Sequence, residues 1–187
     1  MTSQQLGSGF AAPAKDAAFA FRGIMNAMAR PGRIEQVAGV DGPTPLSPSA
    51  ATVLLTLCDG DTKVYLAPAF DTDAIRKWIA FHTGAPLSSP ETADFAVGAW
   101  AELKPLARFR TGTAEYPDQS ATLIVETESL AQQGMTLRGP GIATTARMSL
   151  PETRAFQDNA RAFPLGLDFI FTSGSQLAAL PRSTKVS

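Results

Sequence analysis

The sequence has little of the chemistry on which most small enzymes depend. It contains one cysteine, Cys58, and one histidine, His82, among 187 residues. A single cysteine cannot form a disulfide within the chain, and two such residues are too few for a zinc site built from histidine and cysteine. Cys58 lies in an apolar run and is interpreted as a buried, unreactive thiol. Zinc catalysis and an oxidising compartment are therefore not expected.

Motifs that mark common enzyme classes are also missing. The chain has no G-x-x-x-x-G-K-[ST] loop, no G-x-G-x-x-G between a strand and a helix, and no G-x-S-x-G elbow. The first two place backbone amides around phosphates, and the third presents a nucleophilic serine. The standard signatures of NTPases, dinucleotide enzymes and α/β hydrolases are thus excluded.

Neither sign of charge dominates, and no long apolar run is present. Lysine and arginine total 16 against 17 acidic residues, for a formal net charge of -1. Without a basic surplus, nucleic acid is not expected as a partner. No segment is long enough to span a bilayer, and Met1–Phe10 lacks the features of a secretory signal. We expect a cytoplasmic protein without membrane contact, with Met1–Phe10 as a loose polar tail.

What is present is the composition of one globular domain over residues 1–187, with 44% hydrophobic and 18% charged residues. Helical and strand patterns alternate for most of the length, which favours a sheet covered by helices. The last two strands, Leu167–Thr172 and Gln176–Leu180, flank a hairpin turn at Ser173 and Gly174, so some strands should be antiparallel. The predicted fold class is α/β, with a mixed β-sheet covered by helices.

Four helices carry clear signals. One is capped by Ser47 and ends near Asp59, and another covers Asp71–His82. Ser149 followed by Glu152 has the spacing of a capping box, which predicts a helix over Glu152–Ala162. The helix predicted over Asp16–Arg30 places four large apolar residues on one face: Phe21, Ile24, Met25 and Met28.

His82 is a candidate catalytic residue with a competing structural interpretation. It shares a predicted helical face with Trp78 and Ile79, where an imidazole is more often a half-buried structural side chain. In favour of function, it closes the helix and leads directly into Thr83 and Gly84, where backbone can approach a ligand.

Asp118 is the second catalytic candidate. It lies in the segment Tyr116–Ser120 before a predicted strand, and the favoured interpretation is a turn in which Asp118 bonds its own backbone. Such a loop can also present the carboxylate, together with Tyr116, to a ligand or to a hard cation such as magnesium.

Arginines beside glycine and proline form a set of candidate anion-binding residues. Arg138 precedes Gly139 and Gly141, whose flexible backbone can turn amides toward a phosphate or phosphonate. The alternative is an exposed arginine in a strand-ending turn. Arg30 and Arg182 are also held next to prolines, and surface or interface ion pairs are the favoured interpretation over a substrate clamp.

Six segments, taken in order and spacing from about Phe10 to the end, resemble one family: the H subunit of the carbon-phosphorus lyase system for phosphonate breakdown, PhnH. None of the segments is diagnostic alone. Ser183 and Asn26 depart from the residues common in the family. The similar segments are Phe21–Gly32 (FRGIMNAMARPG), Phe81–Pro86 (FHTGAP), Tyr116–Ile124 (YPDQSATLI), Leu137–Ile142 (LRGPGI), Phe163–Asp168 (FPLGLD) and Leu180–Val186 (LPRSTKV).

The resemblance implies a homodimer whose fold is similar to the large domain of pyridoxal-phosphate-dependent transferases without the cofactor. The sequence is compatible with that loss, because no lysine lies in a glycine- or serine-rich loop suited to a Schiff base. No bound pyridoxal phosphate is expected. The lysines are Lys15, Lys63, Lys77, Lys104 and Lys185.

The resemblance also implies a place in a synthase that contains the G, I and L subunits, within an assembly that includes J. That synthase joins an alkylphosphonate to ATP, adenine leaves, and an α-D-ribose 1-alkylphosphonate 5-triphosphate forms. ATP is then a substrate of the complex, with magnesium as a candidate companion. Because this chain is poor in reactive side chains, we expect it to complete a site whose main chemistry belongs to the I subunit. The alternatives are a purely structural subunit and an independent small-molecule transferase.

Overall fold

The computed structural model describes residues 8–37 and 39–187, and its largest element is a six-stranded mixed sheet. Four strands, β2, β3, β4 and β7, run parallel, β8 pairs antiparallel with β7, and β1 pairs antiparallel with β8. The prediction of an α/β fold with a mixed sheet is confirmed. In spatial order the strands are β1 (Glu35–Gln36), β8 (Gln176–Leu180), β7 (Asp168–Ser173), β4 (Thr122–Glu126), β3 (Phe95–Ala99) and β2 (Val64–Leu66).

Helices cover both faces of this sheet. On one face α1 packs against α2 and β8, and α2 packs against β7 and α3. On the other face the ring of Phe156, from α5, contacts Trp100, Phe169 and Phe171 at centroid distances of 4.7, 5.0 and 5.8 Å. The helices are α1 (Pro13–Ala29), α2 (Pro48–Leu57), α3 (Asp73–His82), α4 (Trp100–Leu103) and α5 (Arg154–Arg161), with a 3-10 turn at Leu106–Arg108.

A second, three-stranded antiparallel sheet lies outside the large one, in the order β6 (Ala146–Met148), β5 (Met135–Arg138) and β9 (Lys185–Val186). Leu137, Met148 and Val186 point inward and belong to the same hydrophobic core as the residues of the large sheet. The opposite face of the small sheet is exposed.

The predicted apolar stripe of α1 is partly wrong. Ile24 is buried and Met28 packs against the core, but Phe21 and Met25 remain 49% and 48% exposed. The buried face consists of Ala20, Ile24 and Ala27. Small residues let α1 approach α2 and β8 closely, so size complementarity rather than hydrophobicity decided which face turned inward.

The predicted capping box is wrong as well. Helix α5 starts at Arg154, and Thr153 precedes it without a side-chain cap. The Ser149 hydroxyl instead accepts a hydrogen bond from the Ala131 N–H at 3.0 Å. The Glu152 carboxylate accepts from the Trp100 indole at 2.8 Å and from Lys104 at 2.7 Å. The Glu152 carboxylate also accepts from the Ala155 N–H in the first turn of α5, so only Ser149 binds a distant partner instead of the helix.

Of the loose tail expected over Met1–Phe10, residues 1–7 lie outside the described residues. Residues 8–10 are held against the domain. The Ser8 N–H donates to the Asp41 carbonyl at 3.1 Å, and the Asp41 N–H donates to the Ser8 hydroxyl at 3.1 Å. Phe10 packs against the core.

Candidate functional site

The end of α1 and the glycine turn after β5 meet in space. Helix α1 stops at Ala29, and the Arg30 N–H still donates to the Asn26 carbonyl at 3.0 Å. Gly141 has φ of +80°, and a Cβ on it would lie 1.9 Å from the Ala29 carbonyl oxygen. Only glycine allows this approach. The similar segments Phe21–Gly32 and Leu137–Ile142, which are far apart in the sequence, therefore contact each other at one junction.

The same turn also contacts the end of the chain. Gly139 has φ of +142°, and a Cβ there would lie 3.0 Å from the Ser183 carbonyl oxygen. The turn after β5 is thus wedged between α1 and the segment that leads into β9. Three of the six similar segments meet at this one place.

Beside this junction lies a cleft of about 390 Å³, which we call the arginine cleft. Its walls include Arg30, Arg33, Arg147, Gly141 and Gln132. Arg33 is paired with Glu35 at 2.6 Å, and the Gln132 side-chain amide donates to the Gly32 carbonyl at 3.0 Å. The fold thus brings the predicted residues Arg30 and Gly141 together with Arg147, which the sequence did not single out.

Arg138 does not line the arginine cleft. It lies on the exposed outer face of the small sheet, directly opposite Lys185 in the β5–β9 register. Arg147 is on the same face, opposite Thr136 in the β5–β6 register. Arg147 escaped sequence reasoning because β6 is too short to give a strand pattern.

Arg182 is committed to the fold. Its backbone N–H donates to Asp168 Oδ1 at 2.8 Å, and its guanidinium forms an ion pair with the same carboxylate. The guanidinium also donates to the Pro117 carbonyl at 2.5 Å and to the Ser120 hydroxyl. With side-chain exposures of 14% for Arg182 and 16% for Asp168, this geometry argues against a substrate anion at Arg182.

The segment Tyr116–Ser120 forms a turn, as predicted, and the hydrogen bonds that define it come from the backbone and from the Thr113 hydroxyl. The Gln119 N–H donates to the Tyr116 carbonyl at 3.2 Å, and the Tyr116 N–H donates to the Thr113 hydroxyl at 3.0 Å. Asp118 and Tyr116 are exposed at its tip. Arg182 fixes this turn to the amino-terminal edge of the large sheet, where Thr122 of β4 pairs with Asp168 of β7.

His82 is the last residue of α3 and is half-buried between aromatic rings. Its ring centroid lies 5.2 Å from that of Trp78 and 4.9 Å from that of Phe81. Gly9 approaches it so closely that a Cβ on Gly9 would lie 3.0 Å from His82 Nδ1. His82 lines neither the arginine cleft nor the turn that carries Asp118.

Glu126, at the carboxyl end of β4, is a partly buried acid that the sequence reasoning missed. The Ser47 N–H, at the start of α2, donates to Glu126 Oε1 at 2.6 Å. Burial raises the pKa of Glu126, and the hydrogen bonds from Ser47 and Thr172 oppose that rise only in part. The Ser47 hydroxyl at the start of α2 and the Thr172 hydroxyl on β7 bind the carboxylate, which gives Glu126 a structural role between these elements.

Within residues 8–37 and 39–187, no group of three or more histidine, cysteine, aspartate or glutamate side chains is placed to hold a metal ion. In that same portion of the chain, no helix is both long enough and apolar enough to cross a membrane. The clearest chemical feature of the described surface is therefore cationic: the arginine cleft and the small-sheet face next to it.

Comparison with known proteins agrees with the resemblance in the sequence. The chain is 41% identical to the α-D-ribose 1-methylphosphonate 5-triphosphate synthase subunit PhnH of Rhizobium meliloti (strain 1021), over all of this chain and 98% of that protein. It is 30% identical to HtxG of Stutzerimonas stutzeri, provisionally named a C-P lyase subunit protein, over 90% of this chain and 84% of that one. The family model for bacterial phosphonate metabolism protein (PhnH) matches residues 8–187. The chain therefore belongs to the PhnH family of bacterial phosphonate metabolism proteins.

Proposed function

We propose that this chain is a subunit of an α-D-ribose 1-methylphosphonate 5-triphosphate synthase. In that assembly, ATP and an alkylphosphonate give the ribose 1-alkylphosphonate 5-triphosphate and adenine, in the company of G, I, J and L subunits. The observation that carries the proposal is the full-length similarity to the synthase subunit of Rhizobium meliloti.

The geometry supports a contributing role inside such an assembly. Displacement of adenine at the anomeric carbon needs anion clamps, help for the leaving base and exclusion of water. The arginine cleft offers cations and a glycine turn, which suit the first requirement. His82 and Asp118 do not line the cleft, so general acid catalysis and water exclusion would come from a neighbour, which we take to be the I subunit.

Reconstitution of the assembly with and without this chain tests the proposal. Turnover of ATP and methylphosphonate, followed by phosphorus NMR, should depend on its presence. Arg30→Ala should leave assembly intact and lower turnover about tenfold or more, since one charged contact to a transferring group is lost. The matched control is Arg154→Ala, because Arg154 is 90% exposed on α5 and pairs with Asp158 only at 3.7 Å. Full turnover by an assembly that lacks this chain would refute the proposal.

A purely structural subunit is the second candidate, favoured by the small number of reactive groups in the cleft. The Arg30→Ala variant separates the two, because Arg30 lines the arginine cleft. Normal assembly with lost turnover supports a contribution to the site, while lost assembly supports an organising role. Turnover by this chain alone would support the third reading, an independent transferase.

We propose that the chain works without pyridoxal phosphate, in a fold related to the large domain of transferases that use it. In support, Lys104 is bound to Glu152, Lys15, Lys77 and Lys185 lie on helices or a strand, and Lys63 lies in the loop directly before β2. An absorbance band of an internal aldimine in the purified protein would contradict this. Magnesium, where it takes part, would enter with the phosphates of ATP.

We also propose a cytoplasmic homodimer. The large apolar side chains left exposed on α1, Phe19, Phe21 and Met25, support self-association. Sedimentation of the wild-type chain and of Phe21→Glu tests it: the wild-type dimer should dissociate in the variant. A monomeric wild-type chain would exclude this arrangement.

A further inference from the structure

The outer face of the small sheet carries three cations and no acidic residue. Arg138 on β5 lies directly opposite Lys185 on β9, and Arg147 on β6 lies opposite Thr136, two residues before Arg138. Residues opposite each other in an antiparallel pair share a face, as do residues two apart along a strand. All three cations are exposed and project from this one face, which we call the basic face.

No ion pair of the described residues involves the basic face, at whose edge the Ser187 backbone pairs with Thr136. The ion pairs within residues 8–37 and 39–187 involve seven other cations and leave out Arg138, Arg147 and Lys185. The face spans three strands, roughly 10 Å, which is within one Debye length at ordinary salt. Like charges directly opposite on a sheet destabilise it. The arrangement therefore lowers the stability of the isolated chain, and a bound negatively charged group would relieve the repulsion.

The shape of the basic face indicates what kind of negatively charged group that is. The arginine cleft contains Arg147 but neither Arg138 nor Lys185, and the recess of about 270 Å³ beside α5 contains Lys185 but neither arginine. The three cations therefore share no single recess that would enclose a small ligand. A surface of spaced carboxylates on a folded protein would contact all three.

We propose that the basic face docks onto an acidic surface of another subunit of the assembly. This inference rests on the proposed function and adds to it the contact surface and the charge of the partner. The formal net charge of this chain is -1, so complementarity at the basic face, and not attraction by the whole chain, selects the partner.

The test is co-purification of the full chain with the other subunits over a salt series. The variant reverses all three charges: Arg138→Glu, Arg147→Glu and Lys185→Glu. The control reverses three exposed cations away from both the basic face and the exposed apolar residues of α1, Lys63→Glu, Lys77→Glu and Arg154→Glu, so its net charge changes equally. A milder variant with glutamine at the three basic-face positions guards against misfolding, with thermal melting as the check.

The wild-type and control chains should join the assembly, and their affinity for the other subunits should fall as the salt concentration rises. The reversal variant should bind about tenfold more weakly or worse, with little remaining salt dependence, and the glutamine variant should lie between them. Unchanged affinity and salt dependence in the reversal variant overturns the inference and leaves the proposed function standing. Normal assembly of the reversal variant with loss of ATP binding by the isolated chain also overturns it, in favour of a small-anion site. Failure of the wild-type chain to enter the assembly overturns both proposals.

Discussion

The arginines at the two sheets of this protein differ in burial and in their bonding partners. At the amino-terminal edge of the large sheet, Arg182 is enclosed and bonded to a carboxylate, a hydroxyl and a carbonyl. On the small sheet, Arg138 is exposed and faces a second cation. Both lie close to a proline in the sequence: Pro181 directly precedes Arg182, and only Gly139 separates Arg138 from Pro140. The tertiary contacts of an arginine, and not its neighbours in the sequence, therefore determine whether it stabilises the fold or stays available to bind another molecule.

The largest expected effect is on the enclosed arginine. Arg182→Ala leaves the Asp168 carboxylate without its partner and should lower the free energy of unfolding by about 3 kcal/mol. Urea denaturation of the isolated chain measures it. Arg138→Ala is the matched control and should change stability by less than about 0.5 kcal/mol. Equal losses of unfolding free energy in the two variants would show that Arg182 and Arg138 contribute alike to stability.

The next effect concerns the turn that holds the small sheet against α1. Gly141→Ala should cost about 2 kcal/mol, since it combines a positive φ with a collision at the Ala29 carbonyl. Gly60→Ala is the control, because a Cβ on Gly60 meets nothing within 4 Å. Thermal melting of both variants is sufficient. A harmless Gly141→Ala would show that the junction is looser than the distances indicate.

A smaller effect is expected from the partly buried acid. Burial raises the folded-state pKa of Glu126, so its contribution to stability is full below the unfolded pKa of glutamate, about 4.3, and is lost as pH rises through the folded pKa. Glutamine does not titrate, so the Glu126→Gln variant does not lose this stability as the pH rises. The variant should therefore gain stability relative to wild type as the pH rises from about 4 toward neutrality. Urea unfolding at several pH values tests this, and a difference that stays constant with pH would contradict it.

The smallest effect sharpens the contrast on the small sheet itself. Lys185→Glu replaces the like-charge pair opposite Arg138 with an opposite-charge pair, which should stabilise the isolated chain by about 0.5 kcal/mol at low salt. Lys77→Glu, on α3, serves as the control. Precise thermal melting at low and high salt measures the gain. A loss of stability in Lys185→Glu would mean that the two cations do not repel.

Much of the fold could be predicted because its signals are local. The Ser47 hydroxyl accepts from the Ala50 N–H at 3.1 Å and Pro48 starts α2, as the sequence predicts. The terminal hairpin also forms as predicted, with β7 and β8 antiparallel around Gly174. Caps and tight turns depend on residues within a few positions of one another, so a single sequence reveals them.

The candidate site could be predicted only in part. Arg30 and Gly141 were singled out separately, but the distance between them along the chain hid their shared cleft. Arg147 gave no signal, and Arg182 was placed among the anion-binding candidates although Asp168 occupies its guanidinium. Which side chains meet is a property of the packed chain.

The family, the α/β class and the scarcity of cysteine and histidine could be read from the sequence, since these follow from residue types and their order. Only the tertiary structure decided which face of α1 is buried and which arginines are neutralised. It also brought three similar segments to one junction. The physical reason is that packing and charge pairing depend on contacts between residues far apart in the chain, and close approach at glycine and alanine outweighed the local preference for burying larger side chains.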